Sequence, residues 1–428
     1  MDLIILFATF FILLFIGVPV AFSLGLSSLF AILYLGLPPL IVIQKIFGGI
    51  DIYALMAIPF FIYAGELMLH GGIARRLINF AGALFSPLRG SLGPMTVFSS
   101  TLFGGVSGSA VADASALGSI LIPEMKKANY DADYAVNVTA SSSITALLIP
   151  PSQNMIIYTI AAGGSISLDS LFLAGIIPGI ITGIIILFVA CFVAARRGYP
   201  RAKFPGGKLL LQTFIASIPA LFSALIIVVG IRAGIFTPIE SAVIAIIYSL
   251  LITIFLYRSL NLRDFFTATK NSTRTTGMIL FVIATASAFG WVLSENQLPQ
   301  LLFTFLLSFK QHPTLVFLMI NIFLLVLGSF MDMSPLIIIT TPIFLPIAQK
   351  LGMDPVQFGV MLVLNLGIGL FTPPVGSVLF VSCALAKTKI EATLKGAWPF
   401  YLGLIIALVL VTYIPAISLW LPHYFHGH

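Results

Sequence analysis

The sequence predicts an all-α polytopic membrane protein, and three observations carry that prediction. Of the 428 residues, 59% are hydrophobic and 8% charged, with a mean hydropathy of +1.13, whereas a soluble domain is roughly a quarter charged. Uncharged stretches at 171–195, 209–231 and 397–422 each exceed the ~20 apolar residues that a bilayer-crossing helix needs. These stretches are long and continuous, not short and alternating as in a β-barrel. Backbone groups in hydrocarbon must be satisfied within the segment, so they are helices.

The spans follow in order. In the first half they are 3–17, 18–36 and 52–70, then a hairpin over 90–124, a helix over 132–162 and a last span at 171–195. The stretch 3–36 also reads as one long tilted helix, although at 1.5 Å per residue it overruns a ~30 Å core. The second half gives 209–231, 235–257, 276–294, a hairpin over 313–349, a helix over 356–386 and a span at 397–421. The first hairpin's arms, about 15 and 11 residues, are short for a crossing, which favours re-entry over two complete spans.

A formal charge of +7 does not imply nucleic acid, because Lys and Arg sit in short loops between the spans. Arg75, Arg76 and Arg89 form one cluster, Lys126 and Lys127 a second, 196–208 a third, 258–274 a fourth and 387–395 a fifth. All five fit the cytoplasmic side, leaving Lys45, Lys310 and Lys350 as isolated exceptions. Cys191 and Cys383 lie inside apolar stretches and imply no disulfide framework. The N-terminus carries Asp2 in place of a basic region, so the first segment reads as a span and not as a cleaved signal peptide. Gly207-Lys208 is followed by Leu209, so there is no phosphate-binding Walker motif. The five histidines (70, 312, 423, 426 and 428) fall at span ends or the terminus, which leaves an intramembrane serine protease without its base. The spans likewise lack a cofactor-binding set of His and Cys, which the membrane anchor of an enzyme complex would need.

The chain also repeats. Pro150-Pro151 and Pro373-Pro374 are 223 positions apart, and the same offset relates Pro123 to Pro346, Lys127 to Lys350 and Asp131 to Asp354. The halves are 1–207 and 208–428. Five crossings per half is an odd number, so the second half is expected inverted, as in many secondary transporters.

Four segments carry chemistry. Residues 104–113 (Gly-Gly-Val-Ser-Gly-Ser-Ala-Val-Ala-Asp) break the first hairpin. Small residues there free carbonyls and hydroxyls that suit a hard monovalent cation, with Asp113 supplying charge or ordering the tip. The blander alternative is helix packing through small residues, which does not account for an intramembrane aspartate. Residues 141–154 hold Pro150-Pro151, which remove two amide donors mid-helix and leave Gln153 and Asn154 at a new helix N-terminus. A simple proline kink is the alternative. Residues 327–334, where Asp332 lies at the hairpin tip as Asp113 does, and 371–377, with Thr372, are the partners in the second half. Glu66 and Glu295 occupy matching places near the ends of the third helices and read as structural, or else as proton carriers. Trp398, Tyr401, Trp420 and Tyr424 read as interface anchors.

Together these four segments resemble the large membrane subunit of the tripartite ATP-independent periplasmic (TRAP) transporters, within the wider ion transporter superfamily with paired hairpins. The resemblance covers the whole chain. It implies a scaffold plus a transport domain moving as an elevator in the bacterial inner membrane, with sodium ions as coupling ions. One sodium site would use Ser107, Gly108, Ser109 and Asp113 with Pro150 and Ser152. The other would use Gly328 and Asp332 with Thr372, Pro374 and Gly376. An organic-acid substrate, typically sialic acid or a C4-dicarboxylate, would lie on Ser107, Ser152, Gln153, Asn154 and Thr372. The implied partners are a small four-helix membrane subunit and a periplasmic substrate-binding protein. A stand-alone proton- or sodium-coupled carrier, or a channel, is the competing class.

Overall fold

The computed structural model describes residues 2–164, 166–201 and 204–426; Lys203 of the third basic cluster and His428 lie outside the described residues. The chain opens with a short helical pair, α1 (Asp2–Phe15) and α2 (Val20–Tyr34), followed by α3 (Leu40–Ile50) and α4 (Ala57–His70). Pro19 ends any continuous reading of 3–36, because it lacks an amide donor and constrains the residue before it. At 14 and 15 residues, α1 and α2 rise only about 21 and 23 Å. They fall short of the crossings expected at 3–17 and 18–36, since the turns at Gly17-Val18-Pro19 and Gly36–Pro39 consume residues.

The amphipathic α5 (Ile73–Phe85) leads to the first hairpin, α6 (Leu92–Ser107) and α7 (Ala110–Lys127). Its second arm is longer than the sequence suggested, because the helix restarts at Ala110, directly after the glycine turn. Next come α8 (Ala132–Ser143), a 3-10 turn at Ile144–Leu147, α9 (Gln153–Ala161) and α10 (Leu168–Arg196). The second part comprises α11 (Gly207–Arg232), α12 (Pro238–Leu251), α13 (Leu262–Glu295) and α14 (Leu298–Leu307). The hairpin α15 (Pro313–Phe330) and α16 (Met333–Lys350) follows, then α17 (Pro355–Phe371), α18 (Ser377–Ala386), α19 (Ile390–Tyr413) and α20 (Pro415–His426). Among the described residues, eight helical segments are long and apolar enough to cross a membrane.

Two spans differ from expectation. The third helix of the second half begins at Leu262, not near 276, and runs for 34 residues, with Asn261 capping it by accepting the Asp264 amide at 2.8 Å. The expected span 397–421 is two helices. Pro415 cannot donate to the helix and drives Ile414 to φ −117°, ψ 90°, so the chain turns there.

Backbone and side-chain contacts gather the basic clusters at one end of the molecule. The backbones of Arg89 and Arg201 form an isolated antiparallel bridge, and the Gly90 amide donates to the Pro200 carbonyl at 3.0 Å. Lys126, at the end of α7, caps the end of α18 by donating to the Ala386 carbonyl at 2.8 Å. Arg76 lies 3.6 Å over the Tyr257 ring, and Ser259 donates to Gly71 at 2.6 Å. Arg197, following α10, grips Asp133 at the foot of α8 through both guanidinium ends at 2.7 Å each. Burial pushes the Tyr199 hydroxyl up to about 12, so it keeps its proton and donates to Asp131 at 2.8 Å. At the opposite end, Tyr158 in α9 reaches Pro355 at 2.6 Å and Tyr413 in α19 reaches Thr314 at 2.8 Å. The first broken helix therefore starts where the second one ends, and the two run in opposite directions.

Candidate functional site

The first hairpin closes on the break between α8 and α9. Gly108 adopts φ +60°, a left-handed conformation that favours glycine, and a Cβ there would strike the Pro151 carbonyl. Gly105 likewise sits against Pro150, whose carbonyl lies 3.4 Å from where its Cβ would be. The hydroxyls of Ser107, ending α6, and Ser152, immediately before α9, are buried with no hydrogen-bond partner. Ser109 caps α7 by accepting the Ala112 amide at 3.4 Å. Gln153 and Asn154 open α9. Asp113 stands one turn inside α7, 1% exposed. It accepts a hydrogen bond from Ser100 of α6, while its other oxygen has no partner. It ties the two arms together behind the tip.

The second hairpin meets the second break through close backbone contacts. Gly328 packs on Gly369, where a Cβ would come within 2.6 Å of the Gly328 carbonyl. The Ser329 carbonyl accepts the Val375 amide at 3.0 Å. The Thr372 hydroxyl donates to Ile368 at 2.8 Å, the Gly376 amide donates to the Thr372 carbonyl at 3.1 Å, and Pro374 is exposed. The Pro150–Pro151 and Pro373–Pro374 bonds are both cis.

Asp332 is not the structural counterpart of Asp113. It is the exposed N-cap of α16, accepting the Met333 amide at 2.9 Å. The 223-residue offset matches it to Ser109, the N-cap of α7, whereas Asp113 matches Leu336. Tyr401 also departs from expectation. It is not a headgroup anchor; its ring lies tilted against that of Phe371, 4.5 Å between centroids, and its hydroxyl donates to that residue's carbonyl at 2.8 Å, at the edge of the second break. Trp398, Trp420 and Tyr424 are exposed.

The chain matches the family model described as the tripartite ATP-independent periplasmic transporter, DctM component, over residues 7–417. It is 37% identical to the sialic acid TRAP transporter large permease SiaM of Vibrio cholerae, covering 97% of each chain. It is 35% identical to the C4-dicarboxylate large permease DctM of Rhodobacter capsulatus, covering 99% of each. The chain belongs to the DctM family of TRAP transporter large permeases. Its fold also resembles the YdaH transporter of Alcanivorax borkumensis, with a TM-score of 0.57 at 13% identity over 87% of this chain and 86% of that one.

In this DctM permease the first hairpin tip opens onto a cleft of about 420 Å³. Ser107, Ser109 and Gln153 face it from the hairpin and the break, while α4 and α13 form the far wall. That wall includes Glu66, Asn271 and Arg274, and the last two escape a sequence reading. They fall in a basic stretch taken as a loop, although their i, i+3 spacing places them on one helix face. Glu66 accepts from Asn271 at 3.4 Å and lies 3.5 Å from His70. Glu295 stands exposed at the end of α13, so the two glutamates do not share a setting. The second hairpin meets α1 and α13 along a narrow apolar seam lined by Phe7, Phe10, Phe289, Leu302, Phe323 and Phe344.

Proposed function

We propose that this permease imports an organic acid by sodium symport, receiving it from a periplasmic binding protein and working with a small membrane subunit in a bacterial inner membrane. The observation that carries this reading is the meeting of each hairpin tip with a broken helix, one pair in each half. In the first pair the buried hydroxyl oxygens of Ser107 and Ser152 lack partners beside the glycine-tight contact with Pro151. Neutral hydroxyl and carbonyl oxygens are hard donors and fit an alkali cation. In the second pair the Ser377 hydroxyl is likewise buried and unpartnered, and the carbonyls of the break lie close to Gly376.

The residues then divide the work. Ser107, Gly108, Ser109, Pro150 and Ser152 would hold one coupling ion, with Asp113 fixing the tip through Ser100. Gly328, Thr372, Pro374, Gly376 and Ser377 would hold the other, with Asp332 supplying nearby charge. The substrate carboxylate is met by the positive end of α9 at Gln153 and Asn154, where helix amides and the dipole favour an anion. The opposed run of the broken helices and the recurrence of element bounds at an offset of 223 support an inverted repeat, 1–207 and 208–428. The hairpins and broken helices would move as one unit against the scaffold of α1–α4 and α11–α13.

The test is uptake of N-acetylneuraminate and of succinate by proteoliposomes holding the permease, its small subunit and its binding protein. A sodium gradient should drive uptake, and a proton gradient alone should not. Uptake driven by protons and indifferent to sodium would overturn the coupling. It would favour Glu66, beside His70, as the proton carrier.

A further inference from the structure

We propose that Arg274, on the scaffold side of the cleft, is a carboxylate-reading residue that engages the substrate from the stationary wall. This rests on the organic-acid reading above. Two helices face the hairpin tip with matching rows. The α13 row is Asn271, Arg274, Thr275 and Met278, and the α4 row is Ile62, Gly65, Glu66 and Leu69. Both follow the i, i+3, i+4, i+7 pattern of a single helix face.

Arg274 is the sole cation among the residues lining the cleft, and it stands about 18 Å along α13 from Leu262 at 1.5 Å per residue. Among the described residues it forms no ion pair; the three pairs present join Glu66 to His70 and Arg197 to Asp131 and Asp133. Glu66, the cleft's one carboxylate, is turned toward His70 and Asn271. The guanidinium is thus left to the cavity. Its planar fork of donors matches a carboxylate in two parallel hydrogen bonds, which an ammonium cannot copy. Across the cleft the hydroxyls of Ser107 and Ser109 are uncharged and the start of α9 offers only the fractional charge of a helix dipole, so on their own they separate an acid from its neutral amide weakly. Arg274 supplies that discrimination. Because it belongs to the wall and not to the hairpin, it acts only while the substrate faces this cleft.

The experiment compares Arg274→Gln, Arg274→Lys, Glu66→Gln and Lys270→Gln in the full transporter, with succinate and N-acetylneuraminate as probes and KM and kcat measured from each face. Lys270 lies one turn away and does not line the cleft, so Lys270→Gln should behave as wild type. Arg274→Gln should raise KM for both acids on one face by roughly 10-fold or more, the scale of a lost hydrogen bond to a charged group. Arg274→Lys should fall between, and the sodium concentration for half-maximal uptake should not move in either. Unchanged KM in Arg274→Gln, with wild type active, overturns this inference. So does an equal defect in Glu66→Gln, which would show that the two residues act as a pair for each other. If Arg274→Gln does not reach the membrane, Arg274→Lys decides alone, because loss of the fork with charge retained must still raise KM. A wild-type transporter inactive toward every carboxylate overturns the organic-acid reading itself.

Discussion

Ser109 and Asp332 occupy the same position in two hairpins: each is the N-cap of an 18-residue second arm. A hydroxyl in one and a carboxylate in the other make the tips chemically unequal. Asp332→Asn keeps a capping oxygen, so its melting temperature in detergent should match wild type, while the sodium concentration for half-maximal uptake should rise. Asp332→Ala should lose about 1 kcal/mol of stability with the cap. A normal sodium response in Asp332→Asn would remove that residue from the second site.

Asp113 answers to a different test, because it is buried and bonded to Ser100. Asp113→Asn can still accept from Ser100 and should fold. Asp113→Ala leaves that hydroxyl without a partner and should cost roughly 1–3 kcal/mol, read as a lowered midpoint in a thermal unfolding scan. Equal midpoints for the two variants would show that the bond does not order the tip.

Gly108→Ala and Gly369→Ala probe the two close approaches. The first places a Cβ on the Pro151 carbonyl at a positive φ, which itself costs about 1–2 kcal/mol. The second drives a methyl onto Gly328. Both should cut sodium-dependent uptake by an order of magnitude or more while leaving protein in the membrane. Wild-type rates from either would mean that tip and break need not touch.

Orientation is tested by single cysteines introduced after replacing Cys191 and Cys383. Positions Arg201 and Lys389 should react only from the cytoplasm, and Ser167 and Lys310 only from the periplasm. Labelling of Arg201 and Lys389 from opposite sides would break the antiparallel arrangement that the contacts of Lys126 and Arg197 require.

Prolines and glycines account for most of what is legible in the sequence. Pro150-Pro151, Pro373-Pro374 and Gly108 act through backbone chemistry that is local, so both breaks and the first tip are visible in the residues themselves. The span over 397–421 misleads because hydropathy is blind to Pro415: the residues on both sides are equally apolar. Asp332 misleads for another reason. Its pairing with Asp113 rests on residue type, whereas the helix starts place it opposite Ser109. Arg274 is hidden because a basic residue near other basic residues reads as a cytoplasmic loop, and only the 34-residue length of α13 carries it into the cleft. Tyr401 needs the fold altogether, since its partner Phe371 is 30 residues away.

The apolar seam between the second hairpin and α1 has an electrical consequence. Water conducts the potential of the adjoining solution into the first cleft, so little voltage falls across it. The seam of Phe7, Phe10, Phe289 and Phe344 admits no such conduction and acts as the dielectric of the device. Under the motion proposed above, a unit charge carried past it by the hairpin would feel most of the membrane potential, worth about 2.3 kcal/mol per 100 mV. On that reading the step that exchanges the two faces would be the one that generates current, and binding within the open cleft would be nearly silent.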